Sequence, residues 1–251
     1  MAKRIITSAV GIPILYAVVS AGGALLSGVV LMFALVGMFE YYEAVAKKRC
    51  ICHVIAYLAA FSLFLRPEHL SVIALGLVVS VLCAMVVFHE KISITDVAVT
   101  IVGFFYIAFL LHFILPVRAH NVLWVWLIFI SAFGSDTSAF FVGRTFGKHK
   151  LTKLSPNKTV EGAVGGIVGA FVLGMLYAYF VNVDFLQIGL ICAVGAVFSQ
   201  MGDLAASAIK RSTGIKDFGK LLPGHGGVLD RFDSVLFTAP IIYVSIQGVG
   251  I

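Results

Sequence analysis

The chain has 251 residues, of which 61% are hydrophobic and only 12% charged, and its mean hydropathy is +1.06. Soluble domains carry about a quarter charged residues, so a water-soluble globular fold is excluded and lipid must solvate much of the surface. The formal charge of +6 raises a nucleic-acid partner, a reading that the placement of the basic residues removes.

Lys3 and Arg4 lead into an apolar run, as in a signal peptide. No small-residue cleavage site ends it and a second apolar run comes next, so it reads as a retained spanning helix. A bilayer-crossing helix needs about 20 mostly apolar residues. Nine segments qualify in chain order: Ile5–Ala21, Ala24–Ala46, Ile51–Leu65, Leu70–Phe88, Asp96–Leu115, Val122–Val142, Ala163–Val181, Leu186–Ile209 and Ser234–Gly250. The expected fold is therefore an all-α integral membrane protein of about nine transmembrane helices, with no soluble domain between them. Residues 1–121 supply N-terminal helices that read as ordinary lipid-facing spans. Residues 122–251 form a C-terminal catalytic region, richer in glycine and embedded charge, within the same membrane-embedded unit. Cys50 and Cys52 form a lone C-x-C, while Cys83 and Cys192 lie in apolar runs; no second pair completes a zinc site.

The basic residues check the count independently. With a cytoplasmic N-terminus and strict alternation, only Arg66 and Arg118 fall outside, and the other sixteen of the 18 Lys and Arg residues fall inside. This is the asymmetry of the positive-inside rule. It accounts for the net charge without nucleic acid and turns a basic face toward anionic lipid and phosphorylated ligands.

Charges at membrane depth point to function. Asp136 stands late in the sixth span and Asp203 late in the eighth, each followed by a long polar loop. Asp203, Ser207, Lys210 and Arg211 share one helix face by their spacing, as do Asp230 and Asp233 at the start of the ninth span. Between them lie Lys216, Asp217 and the run Pro223-Gly224-His225-Gly226-Gly227. Glycines allow close backbone approach to a ligand, and the helix start beyond favours an anion. Carboxylates among Lys and Arg suit Mg²⁺, which takes one or two carboxylates plus substrate phosphates. A metal-bridged phosphoryl or nucleotidyl transfer uses these parts, with the cations neutralising a leaving pyrophosphate. A purely structural reading pairs Asp203 with Lys210 and leaves Asp230 and Arg231 as a solvated helix start. His225 stays open between a hydrogen-bonding loop residue and a base.

The run from Ser207 through Lys210, Arg211, Lys216, Asp217, Gly219, Pro223, His225, Gly226, Gly227, Asp230 and Arg231 to Asp233 spans 27 residues and resembles the signature of the phosphatidate cytidylyltransferase (CDP-diacylglycerol synthase) family. Asp136-Thr137, Gly143-Arg144, Gly147-Lys148 and Ser155-Pro156-Asn157-Lys158-Thr159 are similar to a second region of that family. The resemblance implies transfer of CMP from CTP to phosphatidate, giving CDP-diacylglycerol and pyrophosphate, with Mg²⁺ as cofactor and room for a second cation. It also implies a polar cavity open to the cytoplasm. It places the metal on Asp203, Asp230 and Asp233, and phosphates on Lys210, Arg211, Lys216 and Arg231. Ser207, Asp217, His225, Gly226, Gly227, Asp136 and Lys158 complete the expected substrate-binding set. Ala206 departs from the family, which often carries Glu there, and the loop before Ser155 lacks an expected proline.

The expected partners are CTP, phosphatidate and membrane lipid, in a bacterial plasma membrane with the active site facing the cytoplasm; a homodimer stays open. Two other classes compete. A CDP-alcohol phosphotransferase would need a DG-x-x-AR motif that is absent. An ion-coupled transporter would use Asp136 and Asp203 as ion sites, but no internal repeat joins the two halves.

Overall fold

A computed structural model describes residues 2–46, 48–219 and 226–249, and each of the nine predicted segments is helical within them. The helices are α1 (Ala2–Ala21), α2 (Gly23–Val45), α3 (Ile51–Leu65), α4 (Pro67–Val87, opening with a 3₁₀ turn), α5 (Ile94–His120), α6 (Val122–Phe146), α7 (Val160–Val181), α8 (Phe185–Ser212) and α9 (Leu229–Val249). Among the described residues, α2 and α4 to α8 are long and apolar enough to cross a membrane, whereas α3 is apolar but only 15 residues long. The predicted bounds of α3 are met, but α6 runs past Val142 to Phe146 and α9 begins at Leu229 rather than Ser234. Hydropathy stops at the first charges; the backbone hydrogen-bond ladder does not, so Asp230 and Asp233 both lie inside α9.

Local chemistry explains several boundaries. Ser93 and Asp96 close a reciprocal capping box at the start of α5, satisfying helix N–H groups that have no intrahelical partner. Asn182 ends α7 in the left-handed conformation, at φ 55°, and Asp184 then caps α8 by accepting from the Gln187 N–H at 2.9 Å. Two π-helical turns interrupt apolar helices, Phe104–Phe109 in α5 and Ile130–Gly134 in α6. One extra residue in a turn rotates the remainder of the helix by about 100°, and the second of these turns directly precedes Ser135 and Asp136.

The chain divides into two compact units. One comprises Met1–His112 and Ile215–Arg231, the other Phe113–Gly214 and Phe232–Ile251. In the first, Met38, Leu63, Leu77, Phe104, Ile107, Leu111 and Leu229 are fully buried or nearly so. α4 buries only Leu77 and Val81, while Val72, Leu75, Val79, Val86 and Val87 present a largely exposed apolar face, as lipid contact requires. Tyr42 donates to the Thr100 carbonyl at 3.0 Å and stacks on His53 with ring centroids 4.3 Å apart. A Cβ on Gly103 would meet the Tyr42 ring at 2.5 Å, so α5 approaches α2 where a side chain is missing.

The second unit is built on α7. Its buried residues are Gly162, Gly166, Ala170, Gly174 and Ala178, a strict four-residue repeat. Helices in lipid gain no hydrophobic drive toward one another, so close packing through small residues takes its place. α6 meets the stripe at Gly162 and Gly166, and α8 meets it at Gly166 and Gly174. A Cβ on Gly174 would fall 2.8 Å from both Cβ and Sγ of Cys192.

Candidate functional site

In the second unit a cavity of about 530 Å³ opens among α6, α7, α8 and the loop between α6 and α7. That volume lies within the ordinary range for ligand pockets, about 300–1,000 Å³. Its polar lining includes Asp136, Arg144, Ser155, Asn157, Lys158, Thr159, Gln200 and Asp203. The two aspartates singled out inside apolar runs of the sequence thus share one cavity, although 67 residues separate them.

The long α6–α7 loop is folded against its own ends. The Glu161 carboxylate accepts from the N–H groups of Lys148, at 3.1 Å, and His149, at 3.2 Å, and pairs with His149 Nδ1 at 2.6 Å. Backbone bonds from Leu151 N to the Lys158 carbonyl, 3.0 Å, and from Val160 N to the His149 carbonyl, 2.9 Å, bring the two loop strands together. Thr159 caps α7 by accepting from Gly162 N at 3.1 Å. This construction places Lys158 in the cavity, where it forms an ion pair with Asp203; the side chains keep 27% and 26% of their surface exposed. A cation on Asp203 therefore comes from the loop, where the structural reading of the sequence proposed Lys210.

Asp136 accepts from the Ser234 hydroxyl at 3.3 Å. Asp233 is buried, and its Oδ1 accepts from the Ser234 N–H at 2.8 Å. Asp136, Asp203 and Asp233 lie within Coulombic reach of one another, with Lys158 near Asp136 and Lys210 near Asp233 as countercharges. Ser207, Lys210 and Arg211 come after Asp203 along α8, with Arg211 exposed, and Ala206 is fully buried. Among the described residues, no three His, Cys, Asp or Glu side chains converge on one metal position. The donor set still suits a hard cation: the cavity carboxylates offer oxygen, no thiol or imidazole lines it among the described residues, and Mg²⁺ needs only one or two carboxylates.

In the first unit the glycine-rich segment has its own arrangement. Asp230 Oδ2 accepts from the N–H of Phe218 at 2.9 Å and of Gly227 at 3.0 Å. Gly226 holds φ at 84°, a conformation other residues rarely adopt. Lys216, Asp217 and Arg231 are exposed. His225 lies outside the described residues, as do Lys220 and the Pro223-Gly224 pair. The anion at the α9 N-terminus is an internal one: Glu40 accepts from Val228 N at 3.0 Å and from Leu229 N at 2.8 Å.

Two of these residues were missed in the sequence. Glu40 is 5% exposed within α2, so that helix is more than a lipid-facing span. Its signal was available, because a carboxylate inside an apolar span is itself a functional pointer. Gln200 stands three residues before Asp203 and donates to Ser135 Oγ at 3.2 Å and to the Ala163 carbonyl at 2.9 Å. It ties α8 to α6 and α7 within the same cavity lining as Asp136, Lys158 and Asp203, and its only signal was an amide in an apolar run.

Over residues 2–249 the chain matches the cytidylyltransferase family. It is 32% identical to a phosphatidate cytidylyltransferase of Staphylococcus epidermidis, over 97% of this chain and 98% of that protein. A phosphatidate cytidylyltransferase of Synechocystis is 29% identical, covering 96% of this chain and 94% of the relative. One from Bacillus subtilis is 37% identical over 68% of this chain and 66% of its own length.

Proposed function

Because the chain belongs to the cytidylyltransferase family, we propose that it is a phosphatidate cytidylyltransferase, transferring CMP from CTP to phosphatidate and releasing pyrophosphate. The observation that carries this reading is the cavity in which Asp136 and Asp203 meet Lys158 and Arg144. Carboxylates and cations side by side suit a polyphosphate, whose charge needs both a metal and direct neutralisation.

In the reaction a phosphate oxygen of phosphatidate attacks the α-phosphorus of CTP. A new P–O bond forms as the bond to the β-phosphate oxygen breaks, and the electron pair leaves with pyrophosphate. A phosphate monoester has its second pKa near 6, so the nucleophile is already ionised near neutral pH and needs no strong base. The work left to the protein is positioning and charge neutralisation. Lys158 and Arg144 meet the triphosphate from the loop side, and Lys210 and Arg211 meet phosphate oxygens from the end of α8. Gln200 holds the three helices in register so that these charges converge. Asp203 and Asp233 are the proposed holders of Mg²⁺, and the family resemblance adds Asp230. When bound, the ion neutralises phosphate oxygens and the charge developing on the leaving group.

The same reading assigns nine spans, a cytoplasmic N-terminus and an active site facing the cytoplasm of a bacterial plasma membrane, supported by the sixteen-to-two placement of Lys and Arg. The test is direct. Purified protein in detergent, given labelled CTP and phosphatidate, should form labelled CDP-diacylglycerol with Mg²⁺ and lose that activity on chelation. No product at any metal concentration would overturn the reading.

A further inference from the structure

Glu40 is placed where a ligand's phosphate would be expected. Its carboxylate, buried in α2, spans 188 residues of sequence to reach the start of α9. Oε1 accepts from Val228 N and Oε2 from Leu229 N, so both oxygens are engaged. Gly227 N, the preceding donor, goes to Asp230. Three successive amides at the head of α9 are thus held by two carboxylates. The glycines serve the same contact, because a Cβ on Gly227 would fall 2.5 Å from Glu40 Oε2 and one on Gly219 would collide with the same carboxylate.

A buried carboxylate is costly unless its oxygens are hydrogen-bonded. Amides at a helix N-terminus are suited to that, since the free donors and the helix dipole both favour negative charge. Val228 and Leu229 immediately precede Asp230 in the chain, and Asp230 Oδ2 also closes the segment back to Phe218. Whatever fixes the amides of 228 and 229 therefore fixes the backbone from which the Asp230 side chain projects.

We infer that Glu40 is a positioning residue: it clamps the head of α9 and so sets the orientation of Asp230, without touching substrate. The inference rests on the cytidylyl-transfer reading for its catalytic consequence, but the clamp itself can be tested without turnover. Residues that orient a metal's ligands typically change metal affinity or activity by about 10–100-fold when altered.

The experiment compares the full-length wild type with Glu40→Ala and Glu40→Gln in detergent or nanodiscs. Amide hydrogen exchange is measured across 226–231, with α7 as an internal reference. Loss of the carboxylate should speed exchange at Val228 and Leu229 by at least about tenfold while α7 keeps wild-type protection. In turnover, the Mg²⁺ concentration giving half-maximal rate should rise about 10–100-fold, with the KM for CTP moving much less, and excess Mg²⁺ should restore part of the rate. Glu40→Gln keeps an acceptor oxygen and the side-chain volume, so it remains informative if the alanine variant fails to fold. Unchanged exchange at 228 and 229 in a folded variant overturns the clamp. Faster exchange with an unmoved Mg²⁺ midpoint overturns the positioning role and leaves Glu40 as structural. A wild type inactive toward CTP and phosphatidate overturns the functional reading, and the exchange result still decides the clamp.

Discussion

Replacing Lys158 with methionine separates the two roles that its ion pair with Asp203 combines. Methionine keeps most of the side-chain length and removes only the charge. Both partners retain about a quarter of their side-chain exposure, 27% and 26%. Their pair is therefore worth less to stability than the 3–5 kcal/mol lost on breaking a fully buried one, and closer to the 0.2–1 kcal/mol of exposed pairs. A loss of about 1 kcal/mol corresponds to a Tm shift of roughly 2–4 °C in a domain of this size. Catalysis should respond far more strongly. A charge that neutralises a developing oxyanion contributes about 10²–10³-fold, or 2.7–4 kcal/mol. Lys158→Met should therefore lower kcat/KM for CTP by about two to three orders of magnitude while the melting temperature barely moves. Detergent-purified variants would be assayed for CDP-diacylglycerol formation alongside thermal unfolding, with Asp203→Asn and the double variant closing a mutant cycle. Near-normal turnover in folded Lys158→Met would refute the argument, as would recovery of activity in the charge-free double variant.

Asp233→Asn should abolish turnover, a loss of at least about a thousandfold, in protein that still inserts and unfolds like the wild type. Asp230→Asn tests the metal assignment that the family resemblance makes, and an Mg²⁺ midpoint unchanged from wild type would remove Asp230 from the metal set. For packing, Gly174→Leu should destabilise by about 1–3 kcal/mol through overpacking, because Cys192 already occupies the space at 2.8 Å. Gly76→Ala on α4 should be neutral or stabilising by up to about 1 kcal/mol, since its Cβ would meet nothing within 4 Å. Thermal unfolding in one detergent measures both, and equal effects would contradict the packing account.

Much of the fold was legible because hydropathy is a local property. A run such as Ile51–Leu65 announces itself as one helix, and its bounds agree with the structure. Asp136 and Asp203 were also legible, since a carboxylate in an apolar span is conspicuous wherever the chain takes it. The last turn of α6 and the start of α9 were less so, because charge interrupts hydropathy without interrupting a helix.

The amino-acid sequence thus determined where the helices lie, that several are apolar enough to cross a membrane, and which carboxylates, Asp136 and Asp203 among them, stand out inside apolar runs. Which of those residues meet was decided by packing alone. Nothing local in Lys158 says that a folded loop will deliver it to Asp203, and nothing local in Glu40 says that it will reach amides 188 residues away. The stripe from Gly162 to Ala178 showed small residues at fixed spacing, but only the packed structure assigned its successive glycines to α6 and α8. Periodicity specifies a face; the neighbour that covers it depends on how close the backbones can come, and that distance exists only in the folded chain.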